Sequence, residues 1–286
     1  MKKIILASIL MIVIIVVTFS FKKDFEKEAS FEVKGIDEVE MNNESWNVEF
    51  KSTKSNKVTI VVAGKQKDKK NDPVTMKKDG KKIVITQREQ KGGFIGGFTF
   101  GKKGTIYISI PKNEVDMITL HNRSGDIKMN DVTTKNIVLS NVSGSEKIEG
   151  LSAEKGTFTS QAGELSVKDS SIKEISVAST TGDSYMTNMN SPNMKITSTD
   201  GEVSIRDIKE GKSLLVETKS GDIGVSYKET PTSLKLTANS NSSDITVDLN
   251  GFKKKTNTEK SKEGTIGDAS NKVELLSKKG TIHINS

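Results

Sequence analysis

The chain has 286 residues, a formal net charge of +7 and no cysteine. Disulfide frameworks and thiolate metal centres are therefore excluded. Aromatic residues make up only 5%, which is low for a globular core but suits narrow coils filled with branched aliphatic side chains. Lysine and arginine outnumber the acidic residues by 44 to 37. The recognition modules and interleaved aromatics of nucleic-acid-binding proteins are nevertheless missing, so nucleic acid is not an expected partner.

The beginning of the chain predicts a membrane anchor. An uncharged run of eighteen residues from Ile4 to Phe21 follows a short basic start. As a helix it would span about 27 Å, close to the hydrocarbon thickness of a bilayer. A cleaved signal peptide with its cleavage site at Thr18–Ser20 is the alternative, although the run is long for one. Because Lys2 and Lys3 favour a cytoplasmic amino end, we expect residues 1–21 to form a cytoplasmic tip and a single-pass signal anchor, with the C-terminal domain extracytoplasmic.

The segment that follows is rich in β-strand patterns but irregular. Apolar side chains alternate at Trp46, Val48 and Phe50, and again further along. We expect a linker over 22–30 and then an N-terminal β cap, or lead-in coils, over 31–103. The run GGFIGGFTFG ending at Gly101 is interpreted as a glycine-broken strand packed on this cap; a flexible apolar loop that contacts lipid or a partner is the alternative.

A near-constant period dominates the rest of the chain. Turn positions recur every 19 to 22 residues, and an apolar residue lies four positions after each. The turn positions are Gly125, Gly144, Gly163, Gly182, Gly201, Gly221 and Ser243. Such a period indicates a solenoid, and the alternation of apolar residues by two indicates strands. A second column of breaker or polar residues, ten positions after each turn, predicts a second turn at Lys135, Glu154, Lys173, Pro192, Gly211 and Pro231.

These patterns predict an all-β fold, a parallel β-solenoid of coils of about 19 residues that covers residues 104–286. Parallel crossovers favour a right-handed coil, with neighbouring coils about 4.8 Å apart. The run over 251–263 interrupts the pattern and is interpreted as a loop or short cap. The apolar residues from Val273 to Ile284 predict a closing strand at the end of the stack.

The residue after each turn position is usually acidic. The column contains Asp126, Ser145, Glu164, Asp183, Glu202, Asp222 and Asp244. A ladder of carboxylates could bind a cation such as calcium. The GGxGxD pattern of calcium-binding coils is absent, however, so we favour side chains that accept backbone N–H groups at a turn.

Catalytic constellations are poor. The two histidines, His121 and His283, follow or separate inward apolar residues and are expected to face solvent. No nucleophile elbow, phosphate-binding loop or HExxH motif occurs. We therefore assign no catalytic, cofactor-binding or metal-binding residue and expect neither an enzyme nor a cofactor. A polysaccharide-active β-helix enzyme remains the alternative, and it would need acids and bases that converge on one face.

Lysines cluster at three places, over 65–70, 77–82 and 253–255. On an extracytoplasmic protein, such clusters attract anionic lipid head groups or wall polyanions. Solubility and the protection of strand edges are the alternative explanation, and the one that we favour.

The stretch from Ile106 to Met129, followed by repeated [ST]-x-x-G-[DE] units such as Thr218–Asp222, resembles a bacterial family. This is the β-solenoid family of "putative adhesin" proteins, whose function is unassigned, and the resemblance covers about residues 35–286. With its single anchor the chain is also similar to the membrane-anchored proteins of the Lia envelope-stress operon. The resemblance implies a binding or scaffold role at the Gram-positive cell envelope, linked to antibiotic stress, with an envelope component or membrane protein as partner and no catalytic residues.

Overall fold

The computed structural model describes residues 25–64, 72–88, 104–242 and 244–286, and the regular secondary structure within these ranges is entirely β-strand. The strands are β1 (Phe25–Glu32), β2 (Glu38–Asn43), β3 (Asn47–Thr53), β4 (Lys57–Gly64), β5 (Val74–Asp79), β6 (Lys82–Gln87), β7 (Thr105–Pro111), β8 (Met117–Asn122), β9 (Ile127–Asn130), β10 (Asn136–Ser143), β11 (Glu146–Glu149), β12 (Ser152–Ala162), β13 (Leu165–Lys168), β14 (Ser171–Ser179), β15 (Ser184–Thr187), β16 (Asn193–Ser198), β17 (Val203–Ile208), β18 (Ser213–Thr218), β19 (Ile223–Tyr227), β20 (Leu234–Ser240), β21 (Ile245–Asp248), β22 (Lys253–Asn257), β23 (Ser261–Ile266), β24 (Asn271–Ser277) and β25 (Ile282–Asn285).

Two sequence predictions fall on other parts of the chain. The anchor over 1–21 and the glycine- and phenylalanine-rich run that ends at Gly101 lie outside the described residues. Among the residues that are described, no helix has the length and apolar character needed to cross a membrane.

The strands form two sheets whose inner faces share one apolar core. Sheet A has the order β1-β4-β7-β3-β9-β11-β13-β15-β17-β19-β25-β21, and sheet B has the order β22-β23-β20-β24-β18-β16-β14-β12-β10-β8-β2-β6-β5. From β9 to β19 the chain alternates between the sheets, so each coil adds one strand to each sheet, parallel to its predecessor. This is the predicted solenoid architecture.

The predicted apolar files exist in register. Val167 pairs with Met186, which pairs with Ile205, and all three side chains are fully buried. The corresponding file in sheet B places Phe158 next to Val177. Alternate residues of each strand therefore fill the space between the sheets, as the period of two requires.

Both ends of the stack depart from chain order. Near the start, β2 lies between β6 and β8 in sheet B, while β3 lies between β7 and β9 in sheet A. Near the end, β24 lies between β18 and β20, and β25 lies between β19 and β21. The predicted last strand exists, but its predicted position at the end of the stack is wrong, since Ile284 lies between Val225 and Val247. Each end thus closes on strands that are distant in sequence.

Antiparallel strands cover most of the outer edges. β1 pairs along its whole length with β4, so residues 25–30 belong to a strand and not to the expected linker. The region 251–263, expected as a loop or short cap, contributes β22 and the start of β23, an antiparallel pair at the edge of sheet B. β5 forms the opposite edge of that sheet. β5 and β22 carry exposed lysines, which discourage pairing with other chains.

A ladder of glycines explains the first turn. A Cβ atom built on Gly182 would lie 1.7 Å from the carbonyl oxygen of Gly163, and one on Gly201 would lie 2.1 Å from that of Gly182. No side chain fits at such a distance, so the close stacking of the turns requires glycine. The ladder continues from Gly221 to Gly280. Ser243, which the sequence pattern placed next in line, lies outside the described residues.

The second turn begins earlier than the sequence pattern predicted. Residues six positions after the turn glycines have positive φ angles of 50–68°: Asp131, Gly150, Asp169, Asn188 and Asp207. This left-handed backbone favours glycine, asparagine and aspartate. Of the column expected to form the second turn, Glu154 and Lys173 lie inside β12 and β14. The prediction of a turn ten residues after each glycine is therefore wrong for these coils.

Candidate functional site: a polar groove on sheet B

A groove of about 730 Å³ runs along the stack on the outer face of sheet B. It crosses six neighbouring strands, β6, β2, β8, β10, β12 and β14, close to the glycine turns that follow the last four. Its volume lies within the range of about 300–1,000 Å³ that is usual for ligand sites. We call this feature the polar groove.

The repeat determines the chemistry of the polar groove. Three successive positions before each turn contribute to it, so that amides and hydroxyls recur from coil to coil. The exposed residues of its lining include His121, Thr159, Gln161, Ala178 and Thr180, and Asn42 and Ser140 are half-buried in it. Arg123 and Glu44, which also line it, form an ion pair with 3.2 Å between Nη1 and Oε2. The lining is consequently polar but close to neutral in charge.

A ladder of buried asparagines lies beneath the N-terminal half of the groove. Asn43 donates through Nδ2 to Oδ1 of Asn122 at 2.5 Å, and Asn122 donates in the same way to Asn141 at 2.7 Å. Each also donates to a carbonyl of its own turn, for example Asn122 to Gly125 at 2.9 Å. The three side chains are each only 3% exposed. Because these amides satisfy the turn carbonyls, they hold the groove floor in a fixed shape.

Hydroxyl residues replace the asparagines in the coils further along. Ser179 donates to the Gly182 carbonyl at 2.6 Å, and Thr218 donates to the Gly221 carbonyl at 2.7 Å. These two hydroxyls each reach the turn of their own coil but do not extend to a side chain of the next coil. The side-chain ladder that supports the groove is therefore a property of the N-terminal coils.

The asparagine ladder ends on a buried carboxyl group. Asn141 donates to Oε1 of Glu146 at 2.7 Å, and the Glu146 side chain is fully buried. Burial raises the pKa of Glu146 to about 7, while the hydrogen bond from Asn141 opposes this shift. The nearby Ser160 hydroxyl also lowers the pKa of Glu146. Among the described residues, however, neither the Ser160 oxygen nor Glu146 Oε2 has a hydrogen-bond partner. Glu146 is thus a buried carboxyl group whose pKa lies near neutral pH.

Three members of the acidic column have the structural role that we favoured from the sequence. Asp126 Oδ1 accepts the backbone N–H of Ser145 at 3.0 Å, and Asp183 Oδ1 accepts that of Glu202 at 2.8 Å. Asp222 does the same for Thr281 at 2.7 Å, because β25 follows β19 in the stack. These carboxylates connect the turn of one coil to the next. Within the described ranges, no three histidine or carboxylate side chains are grouped so that they could hold a metal ion.

The histidines are exposed, and carboxylates offset the charge of one of the lysine clusters. His121 and His283 are both exposed, as predicted, and His121 lines the polar groove. In the basic run over 77–82, Lys82 contacts Glu40 at 2.7 Å and Glu38 at 3.1 Å, and Lys81 contacts Asp37 at 3.0 Å. These carboxylates offset the positive charge of that run. The lysines over 253–255 are exposed on β22, and the run over 65–70 lies outside the described residues.

Sequence reasoning missed the asparagine ladder and the groove. Asn122 and Asn141 are 19 residues apart and precede their glycines by three positions, a spacing that could have revealed the ladder. Asn43, however, is 79 residues from Asn122 and precedes Trp46 instead of a glycine. No local pattern brings β2 next to β8.

Comparisons with known proteins agree with this architecture. The chain belongs to the family described as Toastrack DUF4097, which matches residues 36–285. A search of curated proteins found no match. Among solved structures, a "putative adhesin" of Bacteroides fragilis has a TM-score of 0.54 at 14% identity, covering 91% of this chain and 96% of that chain. A "putative adhesin" of Parabacteroides distasonis has a TM-score of 0.45 at 14% identity, covering 91% and 97%. A "putative lipid binding protein" of the same species has a TM-score of 0.44 at 12% identity, covering 91% and 96%.

Proposed function

We propose that this chain is a membrane-anchored binding and scaffold protein that displays its β-solenoid outside the cytoplasmic membrane of a Gram-positive bacterium. The polar groove is the observation that carries the binding role, since it is a concave surface of fixed shape built from coils of the repeat. The uncharged run from Ile4 to Phe21 supports the anchor. The similarity to envelope-stress proteins noted from the sequence supports a role in the response to envelope stress.

The groove favours binding over cleavage. Among the residues that line it, Glu44 is the single carboxylate, and it pairs with Arg123. Hydrolysis of glycosidic bonds by paired carboxylates needs two such groups that flank the scissile bond. The polysaccharide-active enzyme considered from the sequence therefore finds no support in this lining.

Cysteine labelling tests the location and the binding role together. The chain has no cysteine, so a single introduced thiol reports one position. Ala178→Cys places it in the polar groove, and Thr246→Cys places it on an exposed position of sheet A. Full-length variants in intact Gram-positive cells are treated with a maleimide that does not cross membranes.

We expect Thr246→Cys to be labelled in intact cells, and Ala178→Cys to be labelled more slowly because a partner covers the groove. After purification the two rates should become similar. If neither variant is labelled until the cells are lysed, the extracytoplasmic location is wrong. If both are labelled equally fast in intact cells, the groove is not the binding surface.

A further inference from the structure

We propose that the polar groove binds one extended strand of a neutral oligosaccharide. This inference rests on the proposed function, because it names the ligand class of the same surface. Its basis is the combination of a linear shape, a repeated amide and hydroxyl lining, and a nearly balanced charge.

The dimensions of the groove fit a linear polymer. It crosses six strands, and five strand spacings of about 4.8 Å give a length of about 24 Å. One strand spacing is close to the length of one sugar unit in an extended glycan. The outward file from Asn42 through His121, Ser140 and Thr159 to Ala178 therefore offers one side chain for each successive unit.

The lining also fits the surface of a sugar ring. Amides and hydroxyls such as those of Gln161 and Thr180 can both donate and accept hydrogen bonds, as the hydroxyl groups of a sugar require. Val142, which is 42% exposed, adds an apolar contact within the same groove. A pyranose presents hydroxyl groups at its edges and C–H groups on its faces, so both kinds of contact are used.

Other ligand classes fit less well. A peptide that adds a strand needs an unpaired sheet edge, but every strand under the groove is hydrogen-bonded to a neighbour on both sides. A polyanion needs free positive charge, whereas Arg123 is paired with Glu44. An acyl chain needs a lining of apolar side chains, whereas all but two of the side chains here, Val142 and Ala178, carry amide, hydroxyl, imidazole or charged groups.

Calorimetric titration of the full chain in lipid nanodiscs tests the inference. The probes are chitotetraose and cellotetraose as neutral oligosaccharides, and polyphosphate as a polyanion. We expect at least one of the oligosaccharides to bind. Thr159→Trp, which fills the middle of the groove, should weaken that binding by about tenfold or more. Thr246→Trp changes an exposed threonine of sheet A in the same way and should leave the affinity unchanged.

Two further measurements keep the outcome clear. Circular dichroism and the melting temperature show whether Thr159→Trp is folded, and Gln161→Ala removes an amide from the groove without adding bulk. Binding that weakens in both groove variants supports the inference. The inference is overturned if neither oligosaccharide binds, if Thr246→Trp weakens binding equally, or if polyphosphate binds and only the groove variants prevent it. In any of these cases, slow labelling of Ala178→Cys in cells would leave the proposed function standing.

Discussion

The middle of the stack and its two ends are built from the same kind of strand but by different rules of connection. From β9 to β19 each coil packs on the coil that precedes it in sequence, about 19 residues away. At the ends, β2 packs on β8 and β18 packs on β24, and hydrogen bonds join Asn43 to Asn122 and Ser277 to Gly221. Those partners are 79 and 56 residues apart.

This difference teaches that the repeat makes the middle modular, whereas the ends depend on distant parts of the chain. Solenoid coils contact mainly their neighbours, so their stability is close to a sum over coils and interfaces. A strand pair inserted out of order has no such independence, since its removal leaves a gap between two other coils. The following predictions test that contrast, beginning with the largest effect.

Truncation after Ser270 should have the largest effect of the changes considered, and this effect should fall on the C-terminal end of the stack. It removes β24 and β25 and with them four almost fully buried side chains, Val273, Leu275, Ile282 and Ile284. At about 1.5–3 kcal/mol for each, the loss is about 6 kcal/mol or more. Hydrogen exchange should show that the strands from β20 onward lose protection while β9 to β16 keep theirs.

Removal of a whole middle coil is the matched control. Deleting residues 164–182 joins Gly163 to Asp183, so that β11 can pair with β15 in the existing register. We expect a folded solenoid one coil shorter, with a cooperative thermal transition. If this deletion also abolishes folding, the middle is not modular and the comparison fails.

Gly182→Val should break the ladder of turns. Its Cβ would lie 1.7 Å from the Gly163 carbonyl oxygen, so two coils would have to separate, at a cost of about 4 kcal/mol or more. Gly224→Val is the control, because a Cβ at Gly224 meets nothing within 4 Å. Chemical denaturation measures both variants, and equal losses would show that stacking at the turn is not what requires glycine.

Glu146→Gln should change how stability depends on pH. Burial raises the pKa of Glu146 from its ordinary value of 4.5 to about 7, so between these values the folded state binds more protons than the unfolded state. Its contribution to the free energy of unfolding therefore falls as pH rises through this window, by up to about 3 kcal/mol. The glutamine variant should lack that loss and be the more stable protein at pH 8.

Glu164→Gln, an exposed position in the next coil, is the control for this measurement and should follow the wild-type curve. Denaturation at several pH values between 4 and 8 compares the three proteins. Parallel curves for wild type and Glu146→Gln would contradict a buried carboxyl group with a raised pKa.

Asp183→Ala should have the smallest effect. It removes the acceptor for the Glu202 N–H at 2.8 Å, and one such bond contributes about 1 kcal/mol. Asp183→Asn retains an acceptor oxygen and should lose less. Because the carboxylate serves the turn, calcium should leave the melting temperature unchanged in all three proteins. A rise of several degrees with calcium in the wild type alone would favour the cation ladder instead.

The sequence predicted the repeated part of the fold well because each coil repeats the same local pattern. Val167, Met186 and Ile205 have the same place in successive coils, and the structure puts them in one file. The left-handed column that includes Asp131 and Asn188 was equally regular and could have been found. The column of breaker or polar residues ten positions after each glycine predicted the second turn in the wrong place for two coils, because Glu154 and Lys173 are ordinary strand residues.

The rest could not be predicted because strand order at the ends depends on long-range pairing. Nothing local to Ile284 indicates that it lies between Val225 and Val247. The polar groove has the same limitation, since it forms only when β2 and β6 lie beside β8. His121 was correctly predicted to face solvent, but the groove surface that it shares with residues of other strands was not predicted.

The inserted strands at the C-terminal end have a consequence for synthesis. During synthesis β20 leaves the ribosome before β24 has been made. Because β24 lies between β18 and β20, the position beside β18 must stay unpaired until the last segment of the chain emerges. Contacts of such long separation slow folding. A polypeptide that is released too early cannot fill that position, and its exposed strand edges mark it as unfinished.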